Sequence, residues 1–390
     1  MQLRNLVPWV AALALWPAVT FAGTVRVEKD GTGDFVTIQG GLDAAAPGDT
    51  VLIGPGRYET FTTRTFTTGG TIKVIGYTQT PDLTILGVDS TRVVLGPEAP
   101  TTEIDGLSTG GLGIDNGSLR TRVTNLTIEN MQGGAVLNAE DVVWSSTLIR
   151  VMGSRGLQVL GADRLVVRDS TFRDMVNLGI DIGESRISRD VLVSHCVFTN
   201  IEFIGLVVGG AIDAEVENCE FTGNGVGLQF EIFGQGRASY CTFRDSFRHL
   251  AAGTQARVQL ESNHFEPGAF NAVVAQSAVV TGTGNYLGAG TSWTARINQG
   301  FMSLTAGTIE RGGDGSLFAD ADLRLAPESE VLDFRDNNWG TASRDSIAAW
   351  ILDGEDFPEW PVVLFEPFVA DPVPTEESSF GSLKSRFRNE

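Results

Sequence analysis

From Gly134 to Gly290 apolar and polar positions alternate in short bursts, and the bursts repeat. Phe172, Phe198, Phe221, Phe243 and Phe265 follow one another at intervals of 26, 23, 22 and 22 residues. Leu148 and Tyr286 extend the series, 24 residues before it and 21 after it. Two positions before each Phe stands a small or polar residue: Ser170, Cys196, Cys219, Cys241 and Asn263. Three before that comes an apolar one: Val167, Val193, Val216, Ala238 and Leu260. Steps of two are strand steps, because alternate strand residues share a face. Self-similarity at about 20–25 residues signals a repeat architecture, and each unit is too short for a βαβ crossover. The pattern predicts an all-β fold, a β-solenoid of short stacked parallel strands with the Phe column inward.

A second inward column lies seven to nine residues after the first: Leu157, Ile180, Leu206, Leu228, Leu250 and Val273. Asp174, Asn200, Asn224 and Asp245 sit between the columns. Short Asx side chains bond nearby backbone and tolerate left-handed conformations, so these read as turn residues.

Both ends depart from the repeat. Residues 23–60 read as an N-terminal cap. The strand Thr24–Val27 precedes a short helix with Ile38, Leu42 and Ala45 at helical spacing, then the strand Thr50–Ile53. Such a helix covers a core that an open solenoid end would expose. Candidate strands follow at Thr71–Tyr77, Leu83–Gly87, Val93–Leu95, Thr102–Asp105 and Val123–Glu129, with a Gly-rich surface loop over Leu107–Leu119. A C-terminal cap is expected over about 330–369. It would hold a helix from Ser343 to Leu352 and a last strand at Val362–Phe365. Residues 370–379 read as a linker. The tail 380–388 places Phe380, Leu383 and Phe387 at helical spacing, a segment to dock a secretion or surface partner.

Charge narrows the partners. The formal charge of the 390-residue chain is −20, which excludes nucleic acid, since phosphates demand a basic surface. Residues 1–22 read as a signal peptide, with Arg4, an apolar run from Val7 to Val19, and cleavage after Ala22. That run is too short to span a bilayer comfortably, so the chain is expected outside the cytoplasm. The three cysteines occupy one equivalent position in successive coils, about 4.8 Å apart. Their side chains run side by side, which predicts a ladder of buried thiols and no disulfide.

Four stretches carry a resemblance: Val27–Asp49, Val51–Tyr58, the repeated Cys-x-Phe at residues 196, 219 and 241, and Asn337–Thr341. Together they resemble secreted bacterial right-handed parallel β-helix proteins of the pectin-lyase-like type. The resemblance implies a right-handed coil, an extracellular setting and a polysaccharide partner. The entry run looks most like pectin methylesterase. The later Gln and Asp motifs of that family are missing, as are the catalytic signatures of polygalacturonases and pectate lyases.

Chemistry is therefore sought on the outward side of the second column. Its outward neighbours are Gln158, Asp181, Val207, Gln229 and Ala251, with Glu231 one step further and Glu184, Arg248 and His249 near the same edge. Asp181 and Glu231 are the candidate catalytic pair, two coils and about 10 Å apart by strand spacing. That is slightly long for an inverting pair. Gln158, Gln229, Arg248 and His249 are the candidate substrate-binding residues, and the carboxylates are candidate Ca²⁺ ligands. Trp144, Trp293, Trp339 and Trp350 read as cap or core residues. Three functions remain open: a polysaccharide-binding protein, a lyase or hydrolase, and a structural or adhesive surface protein.

Overall fold

Runs of three to seven alternating residues make strands too short to be stable alone, so each must pair with the equivalent run of the next coil. In the computed structural model they do so in parallel and in register. The structure describes residues 23–369 except 46–48, 55, 59–60, 63, 67–76, 80–83, 88–90, 95–111, 117–121, 125–126, 138–140, 160, 184–186, 328 and 330. One coil runs through Val166–Arg168, Thr171–Met175 and Leu178–Ile182. The next repeats it as Ser188–Ser194, Val197–Ile201 and Ile204–Gly209. Val167 pairs with Val193, Phe172 with Phe198, and Ile180 with Leu206. Three stacks result, here named the Val, Phe and Leu stacks after their inward residues.

Left-handed residues turn the chain between stacks. Asp169, His195, Asn218, Tyr240 and Ser262 join Val strands to Phe strands at φ between 52° and 54°. Asp174, Asn200 and Asp245 do the same between Phe and Leu strands. Asn224 departs from the expected turn role. Gly223, at φ 67°, takes the left-handed position. Asn224 turns inward, where Nδ2 donates to Phe198 O (3.1 Å) and Oδ1 accepts from Ile201 N (3.0 Å).

The five expected phenylalanines are fully buried and stacked, with neighbouring centroids 4.6–5.1 Å apart. The column continues through Ile149 and Leu287, not Leu148 and Tyr286. The position two before the column settles this register. Thr147 bonds Ser170 through their hydroxyls, and Asn285 bonds Asn263, so Ile149 and Leu287 face inward beside them. The cysteine ladder forms as expected. All three thiols are buried and free, and each reaches a carbonyl two residues back: Ser194 O at 3.3 Å, Glu217 O at 3.3 Å and Ser239 O at 3.4 Å.

At the N-terminal end the helix α1 (Ile38–Ala44) begins at Thr37, whose hydroxyl accepts from Gly40 N. Ile38 and Leu42 join the core beside Val27 and Val51. A Cβ at Gly41 would come within 2.5 Å of Val27 Cγ2, so only glycine allows this close approach. Strands form at Thr84–Gly87 and Thr91–Val94 near the expected places. Within the expected Leu107–Leu119 loop, Leu112–Asn116 is instead a strand, because Leu112 and Ile114 pair with Gly133 and Ala135 of the next coil. Residues 71–76, the strand expected at Thr102–Asp105, the signal peptide and the tail all lie outside the described residues.

The C-terminal helix is shorter than expected. α2 spans Arg344–Ala348, with Ser343 capping it and Ile347 buried. Ile351 and Leu352 then pair with Leu317 and Phe318, adding a short rung to the Leu stack. Pairing satisfies strand groups that a longer helix would leave open. Among the described residues no helix is long and apolar enough to cross a membrane.

Candidate functional site

The outward side of the Leu stack is a straight strip. Gln158, Asp181, Val207, Gln229, Ala251, Val274, Arg296 and Phe318 follow one another in register, about 4.8 Å apart. Apolar residues interrupt it. Leu178, Ile204 and Val207 form a buried cluster separate from the main core, with Val226 packed against them. The outward strip on which chemistry was sought is therefore divided.

Asp181 lies beside that cluster and is only 1% exposed. Arg155 Nε approaches its Oδ2 at 3.1 Å, so the buried carboxylate is paired with a partly exposed guanidinium. Glu231 stands elsewhere. It pairs with Gly209, two residues beyond Val207. Two coils and two residues separate it from Asp181, about 12 Å by strand spacing. This exceeds both the expected 10 Å and the range for an inverting pair, ~6.5–9.5 Å. Glu231 Oε2 instead accepts from Gln229 Nε2 at 2.6 Å.

His249 is corrected outright: it faces inward and is fully buried. The preceding coils carry Gly156, Gly179, Gly205 and Gly227 at its position, just before Leu157, Ile180, Leu206 and Leu228. At Gly227 a Cβ would meet Phe243 Cδ1 at 2.9 Å, so this position points at the Phe column. His249 fills that space, its ring centroid 6.1 Å from Phe243 and 6.3 Å from Phe265. Nε2 donates to Glu266 O at 2.8 Å, and burial lowers the pKa below its ordinary value. It packs within the core.

Arg248 does reach the surface, where its guanidinium lies 5.5 Å from the Phe247 ring centre. Phe247 in turn stacks on Phe270 (5.1 Å, 9°). Phe203 and Phe247 are 57% and 56% exposed. They occupy one corner position two coils apart, with Gly225 between them. A Cβ at Gly225 would sit 2.4 Å from Phe203 O, so the gap between the two rings depends on glycine. Across the strip Phe233 is also 56% exposed. The sequence did carry this signal: Phe203, Phe247 and Phe270 each stand three residues before Leu206, Leu250 and Val273.

The tryptophans divide. Trp144 and Trp339 are buried as expected, whereas Trp293 is half-buried and edge-on to Phe318 (5.7 Å, 63°). Among the described residues no group of three or more His, Cys, Asp or Glu comes together in a way that could hold a metal ion.

Residues 89–213 and 155–292 match the family described as right handed beta helix region, overlapping to cover more than half of the chain. The chain belongs to the right-handed β-helix family. Similar solved β-helices include the catalytic unit of a GH87 α-1,3-glucanase from Streptomyces thermodiastaticus, with 13% identity and a TM-score of 0.53 over 80% of this chain and 67% of that one. PfbA, a surface adhesin of Streptococcus pneumoniae, shares 11% identity and a TM-score of 0.50 over 73% and 88%. XylC in complex with xylose shares 10% identity and a TM-score of 0.51 over 73% and 75%. At such identities the similarity shows the fold. No curated protein matches the sequence significantly.

Proposed function

We propose that this β-helix is an exported protein that holds an extracellular polysaccharide along the outward side of the Leu stack, by binding and without bond cleavage. One observation carries the reading. The hydrogen-bonded Gln229–Glu231 pair lies in a strip edged by exposed phenyl rings, Phe203 and Phe247 on one side and Phe233 on the other. Ligand sites combine apolar walls with a few placed polar groups. A sugar chain offers the complement, with C–H faces for the rings and hydroxyls for the amide and carboxylate. Arg248 adds a donor at the same edge. Burial of Asp181 in an ion pair argues for binding over hydrolysis. The polysaccharide-acting and adhesive proteins sharing this fold are consistent with the class of partner by analogy. The basic, then apolar, then small-residue pattern of residues 1–22 supports export.

The test is affinity electrophoresis of residues 23–390 through gels containing acidic or neutral polysaccharides, with Ca²⁺ or with chelator. Retardation on one glycan is expected, with its loss in Phe247→Ala and Gln229→Ala. Release of unsaturated or reducing ends that stops in Glu231→Ala would replace binding by catalysis. Free migration in every glycan would favour the structural or adhesive reading.

A further inference from the structure

A second feature of the same face lies at its C-terminal end, where the last coil meets the loop 353–361. Asp353, buried, pins this loop: Oδ1 accepts from Glu355 N (2.9 Å) and Oδ2 from Val363 N (2.6 Å). Gly354 N also donates to Pro361 O, and Trp360 N to Phe357 O. The loop thereby carries Trp360 onto Phe318, edge to face with centroids 5.1 Å apart. Phe357 packs on Trp360 at 4.3 Å, and Trp293 packs edge-on against Phe318. Arg296 lies over Phe318 at 4.9 Å. None of these four rings belongs to the buried core, so a cluster of large aromatics is maintained on the outside of the solenoid.

Beside it opens a cleft of about 620 Å³, within the ~300–1,000 Å³ of small-molecule sites. One wall is Gln299, Asp322 and Arg324 of the coil, and the other is Glu359 and Trp360 of the loop. Arg324 is held by Asp322 through two hydrogen bonds, Nε to Oδ1 at 2.8 Å and a terminal nitrogen to Oδ2 at 2.7 Å. Its side chain is thereby oriented while its remaining donors stay exposed. Two carboxylates against one guanidinium leave the walls anionic, which disfavours an anionic ligand. An indole beside amide, carboxylate and guanidinium groups suits a molecule with one apolar face and a rim of hydroxyls.

We propose that this cleft binds a neutral hexose unit of a polysaccharide, stacked on Trp360 and hydrogen-bonded by Gln299, Arg324 and Glu359. The inference rests on the carbohydrate reading above but uses none of its residues. A chain lying along the Leu stack would meet the cleft at the C-terminal end of the strip, so the cleft acts as an end subsite.

Titrating residues 23–390 with gluco-, manno- and galacto-tetrasaccharides, followed by tryptophan fluorescence and by equilibrium dialysis, tests this. At least one tetrasaccharide is expected to bind and to shift the fluorescence. Trp360→Ala should weaken binding about tenfold, the loss of one aromatic contact. Arg324→Ala should weaken it in the same direction, and that surface variant carries the test if Trp360→Ala does not fold. Tyr240→Ala, an exposed side chain at a corner between Val and Phe strands and outside both sites, should leave it unchanged. Loss of binding in Phe247→Ala with retention in Trp360→Ala and Arg324→Ala overturns the cleft while sparing the mid-face reading. Absence of binding by all three tetrasaccharides, or Trp360-dependent binding confined to uronate oligomers, overturns the neutral-hexose assignment.

Discussion

Phe221 and Phe243 lie one coil apart with their rings 5° from parallel and 4.8 Å between centroids. The separation is the strand spacing itself, so backbone register, more than ring preference, sets the stack. Both are fully buried. Phe221→Ala would open a cavity between Phe198 and Phe243 and is expected to cost about 3–5 kcal/mol. Phe221→Leu should cost less, because Leu287 already occupies this column in a later coil. Chemical unfolding midpoints of the two variants check the ranking, and equal losses would contradict it.

The thiols make a separate prediction. Burial pushes the Cys219 thiol well above its ordinary pKa, with its cysteine neighbours adding to the shift. Thiolate is the reactive form, so Cys219 should resist alkylation on that ground. Cys196 and Cys241 are buried from the reagent like it, so all three should be protected in the folded chain and react once it is unfolded. A mass measurement after alkylation, without reductant, reads this directly. An intact mass two hydrogens short would reveal a disulfide instead.

Acid should weaken the fold through His249. Burial holds its pKa below 6.5, against the opposing hydrogen bond to Glu266 O. Within that window the unfolded chain binds a proton that the folded chain does not. Stability is therefore full above about pH 6.5 and is lost as the pH falls through the folded value. Burial shifts His264 the same way, so it contributes in the same range. Unfolding midpoints at about pH 7.5 and pH 5.5 should differ for the native chain. The difference should shrink in His249→Asn. An unchanged difference would mean that His249 titrates normally.

Arg155 and Asp181 supply a test of structure against function. Taking the guanidinium from beside a carboxylate that is almost inaccessible should destabilise the fold, by about 3 kcal/mol if Arg155→Ala behaves as other broken buried pairs. Adding Asp181→Asn should recover much of that loss. A double-mutant cycle on unfolding free energies reads the coupling. Retention on a glycan gel is expected not to change, since the Asp181 carboxylate is almost inaccessible from the surface.

The regular coils were legible because their side chains repeat in steps of two. The Val, Phe and Leu columns and the thiol ladder followed from spacing alone. Leu148 and Tyr286 were misplaced because each adjoins a second apolar residue, Ile149 and Leu287, and the corner residues Thr147 and Asn285 decide between them. His249 was misplaced because glycine precedes the Leu column in four earlier coils and hides that the position faces inward. Burial of Asp181 was invisible because outward alternation does not say what lies over a residue. The aromatic cluster at Trp360 escaped because the loop 353–361 follows no period, and its path is fixed by the Asp353 side chain and by backbone bonds within the loop.

The ladder two positions before the Phe column has an architectural consequence. Cys241 Sγ reaches Val216 O, Asn263 Nδ2 reaches Ala238 O, and Asn285 Nδ2 reaches Leu260 O, each tying a corner to the coil before it. A deletion of part of a coil would break such ties on both sides of the cut. Excision of a whole one, such as the 22 residues from Glu220 to Cys241, would bring Cys219 directly before Thr242 and keep every column in phase. Length in this molecule is thus quantised, and related chains should differ along their regular region by whole coils.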